Sequence, residues 1–348
     1  SLQHMEYSQQ LAWKSRIVGD TLRRVGGVDV ADPPVEASPL ELGYRNKVTF
    51  TLRRLTGGRV VAGFRELGQG GRVLDVGSEC LLPQMSLRET WGTLRDRWGP
   101  GASLLPEGRE LRLSLQAGEP GAGLTIRGGH GTARPDTLMD LVPGLAAIWW
   151  ERKGKSRTHL AGEARVTIPL GDESIEAAGE GFVQVNPGAV EALHDYVLRE
   201  AGEVEGRNLV YAYCGAGILG WRLARMGARV VGIDVNPGGW VAGDSSVSGS
   251  FQVLKGRVED ELETQLPADL LLLNPPRAGL AREIPGLLSR IPPARVLYVS
   301  CDPATLARDL QRLDGVLVLD DVRSFDLFPQ TAHVETVASL KRRGETKS

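Results

Sequence analysis

The chain has 348 residues, of which 41% are hydrophobic and 24% are charged, with a formal net charge of −2 at pH 7. This composition is typical of a globular protein, and the near-neutral charge excludes a general attraction to nucleic acid. No apolar run approaches the ~20 residues that cross a bilayer. The cysteines Cys80, Cys214 and Cys301 are too few and scattered for a disulfide framework. We therefore expect a cytoplasmic monomer of two domains without a membrane segment.

The first half of the chain predicts an α+β domain. Residues 9–25 repeat apolar side chains at the helical period, and residues 44–54 and 60–65 alternate like the two strands of a hairpin. Further patterns predict helices at 82–98 and 138–150 and strands at 110–115 and 123–127. We expect a domain over residues 1–177 with an antiparallel sheet. The bases of the first helix are predicted to lie on a solvent-exposed face: Lys14, Arg16, Arg23 and Arg24.

A local excess of positive charge lies on the predicted hairpin. Between residues 45 and 72 the only acid is Glu66. Such an excess, with Tyr44 and Phe64 interleaved, suits contact with RNA phosphates and stacking on bases. An exposed polar face of the hairpin is an equally good interpretation. The bases are Arg45, Lys47, Arg53, Arg54, Arg59, Arg65 and Arg72.

The second half alternates helices with short apolar strands. Helices are predicted at 190–201, 219–225 and 304–313, and strands at 209–213, 229–233, 270–273 and 296–299. This alternation is typical of a mostly parallel sheet covered on both faces. We therefore expect an α/β, Rossmann-like domain over residues 178–348.

Two features of the second half predict a nucleoside-binding site. A glycine turn, Tyr213-Cys214-Gly215-Ala216-Gly217, follows one strand, and Asp234 ends the next, where its carboxylate can accept ribose hydroxyls. These features do not separate a dinucleotide from S-adenosylmethionine. We interpret the turn as lacking the third, phosphate-binding glycine. Such a turn favours the methyl donor, which has no pyrophosphate.

Two further segments follow predicted strands. Asn274-Pro275-Pro276-Arg277 forms a rigid turn that directs Asn274 and Arg277 toward one crevice, because proline fixes φ near −65°. Cys301 stands at the end of the strand at 296–299. A thiol at this edge of a parallel sheet is well placed for a nucleophile. From the strand alone, an inert buried cysteine is the favoured interpretation.

Several motifs together resemble the RNA 5-methyluridine (uracil-C5) methyltransferase family, whose members methylate uridine in transfer RNA or large-subunit ribosomal RNA with S-adenosylmethionine. In the first half these are Tyr44-Arg-Asn-Lys47, Gly63-Phe64-Arg65 and residues 75–80. In the second half they are Phe182-Val-Gln-Val-Asn-Pro187, Tyr213-Cys-Gly-Ala-Gly217, Asn274-Pro-Pro-Arg-Ala-Gly-Leu280, Val299-Ser-Cys-Asp-Pro-Ala-Thr-Leu-Ala-Arg-Asp309 and Asp326-Leu-Phe-Pro-Gln-Thr-Ala-His-Val-Glu335.

The resemblance implies a role for each matching residue. Cys301 would add to C6 of uracil as a thiolate, making C5 nucleophilic, and Glu335 would later remove the C5 proton. The helix that begins after Cys301, and nearby cations, are expected to favour the thiolate. Cofactor contacts would come from Gln184, Tyr213, Gly215, Asp234 and Asn274, and RNA contacts from Arg45, Lys47, Arg65 and Arg277. Phe325 and Phe328 are expected either to stack on a flipped base or to pack internally.

Asn274 departs from the family pattern, which usually has aspartate there, while Asp234 replaces a more usual glutamate. The resulting Asn-Pro-Pro resembles methyltransferases of exocyclic amino groups, although Cys301 and Glu335 argue against that activity. A catalytically weak RNA-binding module is the alternative from another class.

The N-terminus resembles family members that carry an iron–sulfur cluster. Gln3-His4 is similar to the segment after their Cys-x-x-Cys, and Cys80 stands where they keep the fourth ligand. The resemblance implies that Cys80 is either a remnant ligand of a 4Fe–4S cluster or a structural thiol. It favours 23S ribosomal RNA over transfer RNA as substrate. The first residue, Ser1, hints at a fragment, and two alternatives stay open: a truncated member that begins after the other ligands, in which Cys80 is a remnant ligand, or a complete one, in which Cys80 is a structural thiol.

Overall fold

The computed structural model describes residues 2–66, 71–171, 173–179, 184–237, 240–241 and 249–344. These residues form two compact units. The parallel-sheet unit comprises residues 2–41 and 188–344, and the antiparallel-sheet unit comprises residues 42–179 and 184–187. Within the described residues, no helix combines the length and apolar character needed to cross a membrane.

The elements follow in chain order, with their bounds. The chain begins with α1 (Tyr7–Arg24) and β1 (Val35–Glu36). The antiparallel-sheet unit contains β2 (Lys47–Arg54), β3 (Val60–Arg65), β4 (Val73–Asp75), α2 (Met85–Arg97), β5 (Glu110–Gln116), β6 (Ala122–Arg127), α3 (Pro135–Leu141), β7 (Leu145–Glu151), β8 (Thr158–Gly162), β9 (Val166–Leu170) and β10 (Glu173–Ala177). The remainder contains α4 (Pro187–Ala201), β11 (Asn208–Ala212), α5 (Ile218–Arg225), β12 (Arg229–Asp234), β13 (Trp240–Val241), β14 (Ser250–Lys255), α6 (Val258–Glu261), β15 (Leu270–Leu273), α7 (Glu283–Arg290), β16 (Arg295–Ser300), α8 (Pro303–Leu313), β17 (Leu317–Phe325) and β18 (Glu335–Arg342).

The parallel-sheet unit is built on eight strands in the order β1-β17-β18-β16-β15-β11-β12-β14. The five strands from β16 to β14 are parallel, while β18 runs antiparallel to β16 and β17. β15 and β16 are continuous apolar runs because both faces of the sheet are covered. Strand order reverses between β11 and β15, so ligands are expected outside the carboxyl ends of these strands. The predicted α/β, Rossmann-like architecture is confirmed.

The antiparallel-sheet unit contains a seven-stranded sheet in the order β4-β3-β2-β5-β6-β7-β8. Neighbouring strands are antiparallel, as predicted, except for β6 and β7, which pair in parallel. The predicted hairpin is confirmed as β2 and β3. A core of apolar side chains, including Phe50 stacked on Trp91, packs α2 on one face. The predicted helix at 138–150 is wrong in its second half, because α3 ends at Leu141 and β7 follows. Nearly every side chain of β7 is buried, so no alternation revealed a strand.

The first 41 residues belong to the parallel-sheet unit, whereas the sequence predicted them to join the domain that ends at 177. The physical reason is pairing and packing, because β1 pairs in parallel with β17 and α1 packs on α8. The prediction that Lys14 lies on a solvent-exposed face is also wrong. Its ammonium is fully buried and forms an ion pair with Asp326 at 2.6 Å.

Candidate active site

Strand pairing brings Cys301 and Glu335 together from distant parts of the sequence. β16 and β18 pair in antiparallel register with Ser300 opposite Thr336. Continued by one residue beyond this last pair, the register would set Cys301 opposite Glu335, and the charge of Glu335 acts on the Cys301 thiol. Cys301 is half-buried, whereas Glu335 is only 4% exposed. A thiol and a carboxyl therefore meet at the carboxyl end of β16.

Burial controls the protonation of both groups. It raises the pKa of Glu335 to about 8, although the positive charge of Arg277 acts in the opposite direction. Burial also raises the pKa of Cys301, and the neighbouring Glu335 adds to this rise, while Arg277 opposes it by charge and hydrogen bonding. The expected cation is therefore present as Arg277, but the net shift of the Cys301 pKa is upward. Desolvation of the thiol therefore outweighs the thiolate-favouring effect of Arg277.

The start of α8 also differs from the expectation. The helix begins at Pro303 as predicted, but Asp302 caps it and accepts the N–H of Thr305 at 2.8 Å. This carboxylate takes one of the N–H groups that would otherwise contribute to a positive helix end beside Cys301. The helix terminus is therefore a weaker source of thiolate stabilisation than the sequence suggested.

The turn that carries Arg277 is held by α8. The Thr305 hydroxyl donates to the Arg277 carbonyl at 3.0 Å, and Arg308 donates to the Ala278 carbonyl at 2.7 Å. Asp309, which is fully buried, accepts the N–H of Leu280 at 2.8 Å. These bonds fix the Pro275-Pro276 turn, and they therefore fix the backbone position from which the Arg277 side chain extends.

Sequence reasoning missed the role of Asp309. Its carboxylate also accepts the Tyr298 hydroxyl at 2.8 Å and an N–H of Arg312 at 3.0 Å. A Cβ on Gly279 would lie 2.3 Å from the same carboxylate, so only glycine fits there with its φ of +80°. The available signal was an acid placed between Leu306 and Leu310 on the apolar face of α8.

The glycine turn after β11 forms an open cradle at the point where strand order reverses. Tyr213 adopts a φ of +59°, unusual for a residue with a side chain, and Gly215 adopts +54°. The Asp234 carboxylate accepts the N–H of Gly215 at 2.9 Å and that of Asn236 at 2.8 Å. A Cβ on Gly215 would meet nothing within 4 Å, so the turn leaves open space there. The Tyr213 hydroxyl interacts with Glu259 and with the backbone of Ala281. The open cradle fits a nucleoside cofactor.

The interpretation that this turn lacks a third glycine is wrong. Gly220 completes a Gly215-x-Gly217-x-x-Gly220 pattern. In the structure a Cβ on Gly220 would lie 2.4 Å from the ring of Phe251, so this glycine serves close packing of α5 on β14. The glycine count therefore does not discriminate between a dinucleotide and the methyl donor.

Asn274 follows β15, directly beside the end of β11. Its N–H donates to the Ala212 carbonyl at 3.2 Å, and its side chain hydrogen-bonds the Tyr211 hydroxyl. Burial raises the pKa of Tyr211, so the phenol stays neutral. The amide thus has a partner for one of its polar atoms.

The predicted RNA contacts other than Arg277 belong to the antiparallel-sheet unit. The Arg45 guanidinium lies 5.7 Å from the centre of the Tyr44 ring. Burial lowers the pKa of Lys47, and the charges of Arg127 and Arg157 lower it further. These two predicted contacts therefore lie in positively charged or aromatic surroundings, and their role in RNA binding stays a prediction.

Pairing with Glu110 reduces the positive charge expected on the hairpin. Glu110 on β5 lies opposite Arg53 and forms ion pairs with both Arg53 and Arg65. Arg54 instead donates to the carbonyls of Gly101, Ala102 and Gly108. Counting charges over residues 45–72 missed Glu110, because Glu110 lies on β5, outside that range.

The remaining predicted residues have fewer contacts. Gln184 is half-buried and belongs to the antiparallel-sheet unit, while Phe182 lies outside the described residues. Phe325 is buried and packs against Tyr196, as expected for an internal residue, whereas Phe328 is half-buried beside His333.

Cys80 is half-buried and has a free thiol. Among the described residues, no group of three or more histidines, cysteines or acids is placed to hold a metal ion. The described residues therefore do not fit a 4Fe–4S cluster at Cys80.

Strand order, the reversed last strand and the glycine cradle define a Rossmann-like methyltransferase fold. Residues 249–343 match the family model of tRNA (uracil-5-)-methyltransferase. An uncharacterized RNA methyltransferase of Nitratidesulfovibrio vulgaris is 31% identical, with 98% of this chain and 80% of the relative covered. One from Synechocystis sp. is 32% identical, with 97% and 79% covered.

A solved structure is similar along almost the whole chain. It is the Pyrococcus abyssi tRNA (uracil-54, C5)-methyltransferase in complex with S-adenosyl-L-homocysteine, with a TM-score of 0.74 and 27% identity. The match covers 97% of this chain and 84% of that one. The chain therefore belongs to the RNA uracil-5 methyltransferase family, a family of RNA methyltransferases.

Proposed function

We propose that the protein transfers a methyl group from S-adenosylmethionine to C5 of a uridine in RNA, through a covalent bond between Cys301 and C6. The observation that carries this proposal is the proximity of Cys301 to Glu335, which adjoin the paired residues Ser300 and Thr336 at the carboxyl end of β16. Amino-group methylation needs neither a thiol nor a base for a C5 proton. The pair therefore favours uracil C5 over an exocyclic amine.

The two side chains would act in sequence. The Cys301 thiolate adds to C6 of uracil, and the electron pair of the C5–C6 bond becomes available at C5. The methyl donor, when bound, supplies an electrophilic methyl group. Glu335 then removes the C5 proton, which expels the Cys301 sulfur and restores the double bond. A carboxyl with a pKa of about 8 suits this task, because general bases work best when their pKa lies near the operating pH.

The surrounding residues would bind the cofactor and stabilise the negative charge of the Cys301 thiolate. Asp234 would accept ribose hydroxyls with lone pairs that remain beside its two backbone contacts, and Gly215 would leave room for the nucleoside. Tyr213, Asn274 and Gln184 complete the proposed cofactor contacts. Arg277 would favour the Cys301 thiolate and contact the RNA substrate. The bound S-adenosyl-L-homocysteine of the Pyrococcus abyssi relative supports this cofactor.

The RNA class is the finer part of the proposal. The Pyrococcus abyssi relative is a tRNA methyltransferase, which supports transfer RNA as a substrate. The resemblance of Gln3-His4 to cluster-bearing members supports 23S ribosomal RNA instead. Both RNAs are therefore substrates to be tested, with Arg45, Lys47 and Arg65 as proposed contacts.

Mass spectrometry of nucleosides tests the proposal. Transfer RNA and 23S ribosomal RNA that lack 5-methyluridine are incubated separately with the protein and isotope-labelled methyl donor. We expect labelled 5-methyluridine with the wild type and with Cys80→Ala, and none with Cys301→Ala. Turnover by Cys301→Ala at the wild-type rate, or a label found on an amino group, would contradict the proposal. Failure to bind the donor would favour an RNA-binding module.

A further inference from the structure

Helix α1 contacts the segment that leads into Glu335. This base-bearing segment comprises residues 326–335, from the end of β17 through the first residue of β18. The Lys14 ammonium donates to Asp326 Oδ1 at 2.6 Å and to the Phe328 carbonyl at 3.2 Å. Both side chains of the ion pair have no exposed surface. A buried charge of this kind holds its partner in one place, because separating the two leaves each without solvation.

A second set of contacts holds the middle of the segment. Nε2 of Gln10 donates to Oε1 of Gln330 at 2.9 Å, and the Gln330 N–H donates to Oε1 of Gln10 at 3.1 Å. The N–H of Leu2 also donates to the Gln330 carbonyl at 2.9 Å. Gln330 has a φ of +68°, which a residue with a side chain adopts only when its surroundings impose it. The N-terminal residues thus impose a specific backbone path.

The segment is also closed on itself and anchored at both ends. Asp326 Oδ1 accepts the N–H of Phe328 at 3.1 Å, and the Thr331 hydroxyl donates to the Phe328 carbonyl at 2.8 Å. At its far end Glu335 enters β18 opposite Phe325 of β17. The direction in which the Glu335 carboxyl points therefore depends on a path that α1 fixes.

We propose that α1 is a positioning element for Glu335, acting through the Lys14–Asp326 ion pair and the Gln10–Gln330 amide pair. This inference rests on the proposed function, in which Glu335 removes the C5 proton. Lys14 and Gln10 touch neither substrate nor cofactor in this account. They hold the base-bearing segment so that the carboxyl meets the methylated adduct.

The reaction separates this role from a general effect on folding. Addition of Cys301 and methyl transfer precede proton removal, so a displaced Glu335 slows only the final elimination. RNA with 5-fluorouridine reports the early steps, because its C5 fluorine cannot leave as a proton. RNA with ordinary uridine reports the last step through the amount of methylated adduct that accumulates.

The test compares Lys14→Met and Gln10→Ala with two matched controls. Gln10→Ala removes the amide hydrogen bonds without removing a charge, and it keeps the measurement usable if Lys14→Met does not fold. Lys14→Arg retains the positive charge, so its hydrogen exchange and its adduct accumulation are expected to stay close to those of the wild type. Arg23→Ala alters the other end of α1, where Arg23 pairs with Asp20 and Asp32, and is expected to behave like the wild type.

Two readouts are expected to change in Lys14→Met and Gln10→Ala. Amide hydrogen exchange in residues 327–335 should rise several-fold, with exchange in α8 unchanged. The covalent adduct with uridine RNA should accumulate several-fold above the wild type, while the rate of adduct formation with 5-fluorouridine RNA stays the same. Equal losses in both reactions, or wild-type exchange and turnover in both variants, would overturn the inference.

Failure of the proposed function gives a different result. In that case the wild type produces no 5-methyluridine and no adduct with 5-fluorouridine RNA. The exchange measurement then still decides whether α1 fixes the base-bearing segment. Unchanged exchange overturns the inference, and increased exchange limited to residues 327–335 supports the structural half of it.

Discussion

Two buried acids of the parallel-sheet unit differ in their surroundings. Asp326 is fully buried and lies against the Lys14 ammonium and the N–H of Phe328. Glu335 is buried to a similar degree, but burial outweighs the influence of Arg277 and raises its pKa to about 8. One acid is matched by a buried opposite charge, and the other is left able to exchange a proton near neutral pH.

One acid therefore supports the fold, and the other is suited to catalysis. A carboxylate with a buried cation is suited to hold a chain segment in place, because the pair is costly to break. A buried carboxyl that can lose its proton near neutral pH is suited to general-base catalysis. The base-bearing segment contains both acids. Replacing Asp326 or its partner Lys14 should therefore give a defect distinct from that of replacing Glu335.

The largest expected effect is that of Glu335→Gln on turnover. Removing a general base costs typically about 10²–10⁴-fold in rate. We expect 5-methyluridine formation to fall by this factor while the Cys301 adduct accumulates on uridine RNA, measured on denaturing gels. Glu283→Gln, on the exposed start of α7, is the matched control. Turnover that survives Glu335→Gln unchanged would remove Glu335 from the mechanism.

Breaking the buried ion pair should produce the largest loss of stability. Lys14→Met leaves Asp326 as an unpaired buried charge, which costs about 3–5 kcal/mol in the free energy of unfolding. Denaturant titration should show this loss, and Lys14→Met combined with Asp326→Leu should recover most of it. Arg343→Ala, which breaks an exposed pair with Asp314, should cost about 1 kcal/mol or less. Equal losses of stability for the buried and the exposed ion pair would contradict the larger contribution expected of the buried one.

The pH dependence of stability should reveal the titration of Glu335. Because its pKa is raised from 4.5 to about 8 in the folded protein, the folded state keeps a proton that the unfolded state loses. This group therefore contributes its full stability below pH 4.5, and the contribution is lost as the pH rises through 8. Glu335→Gln should unfold at a higher temperature than the wild type at pH 8.5, with the gap closing near pH 4.5. A gap that does not vary with pH would contradict the raised pKa.

A smaller effect is expected from Arg277→Ala on the reactivity of Cys301. The positive charge of Arg277 opposes the rise of the Cys301 pKa, so its removal should shift the pH profile of alkylation upward. Iodoacetamide labelling, followed at the Cys301 peptide by mass spectrometry, should become several-fold slower at pH 8. Arg290→Ala is the control, since Arg290 pairs with Glu263 at the surface. An unchanged profile would show that Arg277 does not act on the thiol.

Much of the parallel sheet could be predicted from sequence because its strands are short apolar runs between helices. The proximity of Cys301 and Glu335 could not, since it depends on the register of β16 and β18, which no local pattern encodes. Family resemblance alone pointed to Glu335 as the base. β7 was predicted as helix because its nearly complete burial removes the alternation that marks a strand.

The positions of Lys14 and Asp309 in their helices predict that both side chains are buried, which a count of charges does not reveal. Lys14 lies four residues from both Gln10 and Val18, on the buried stripe of α1. Asp309 stands on the apolar face of α8 in the same manner. A charged residue at a core position of an amphipathic helix predicts a buried partner, although the sequence does not say which residue it is.

The identity of the adducted residue is the sharpest test of the covalent role of Cys301. The wild type is incubated with S-adenosylmethionine and 5-fluorouridine RNA, digested, and analysed by mass spectrometry. We expect a methylated nucleotide attached to the peptide that contains Cys301, formed only when the donor is present. An adduct on another residue, or no adduct while 5-methyluridine is produced from uridine RNA, would contradict that role.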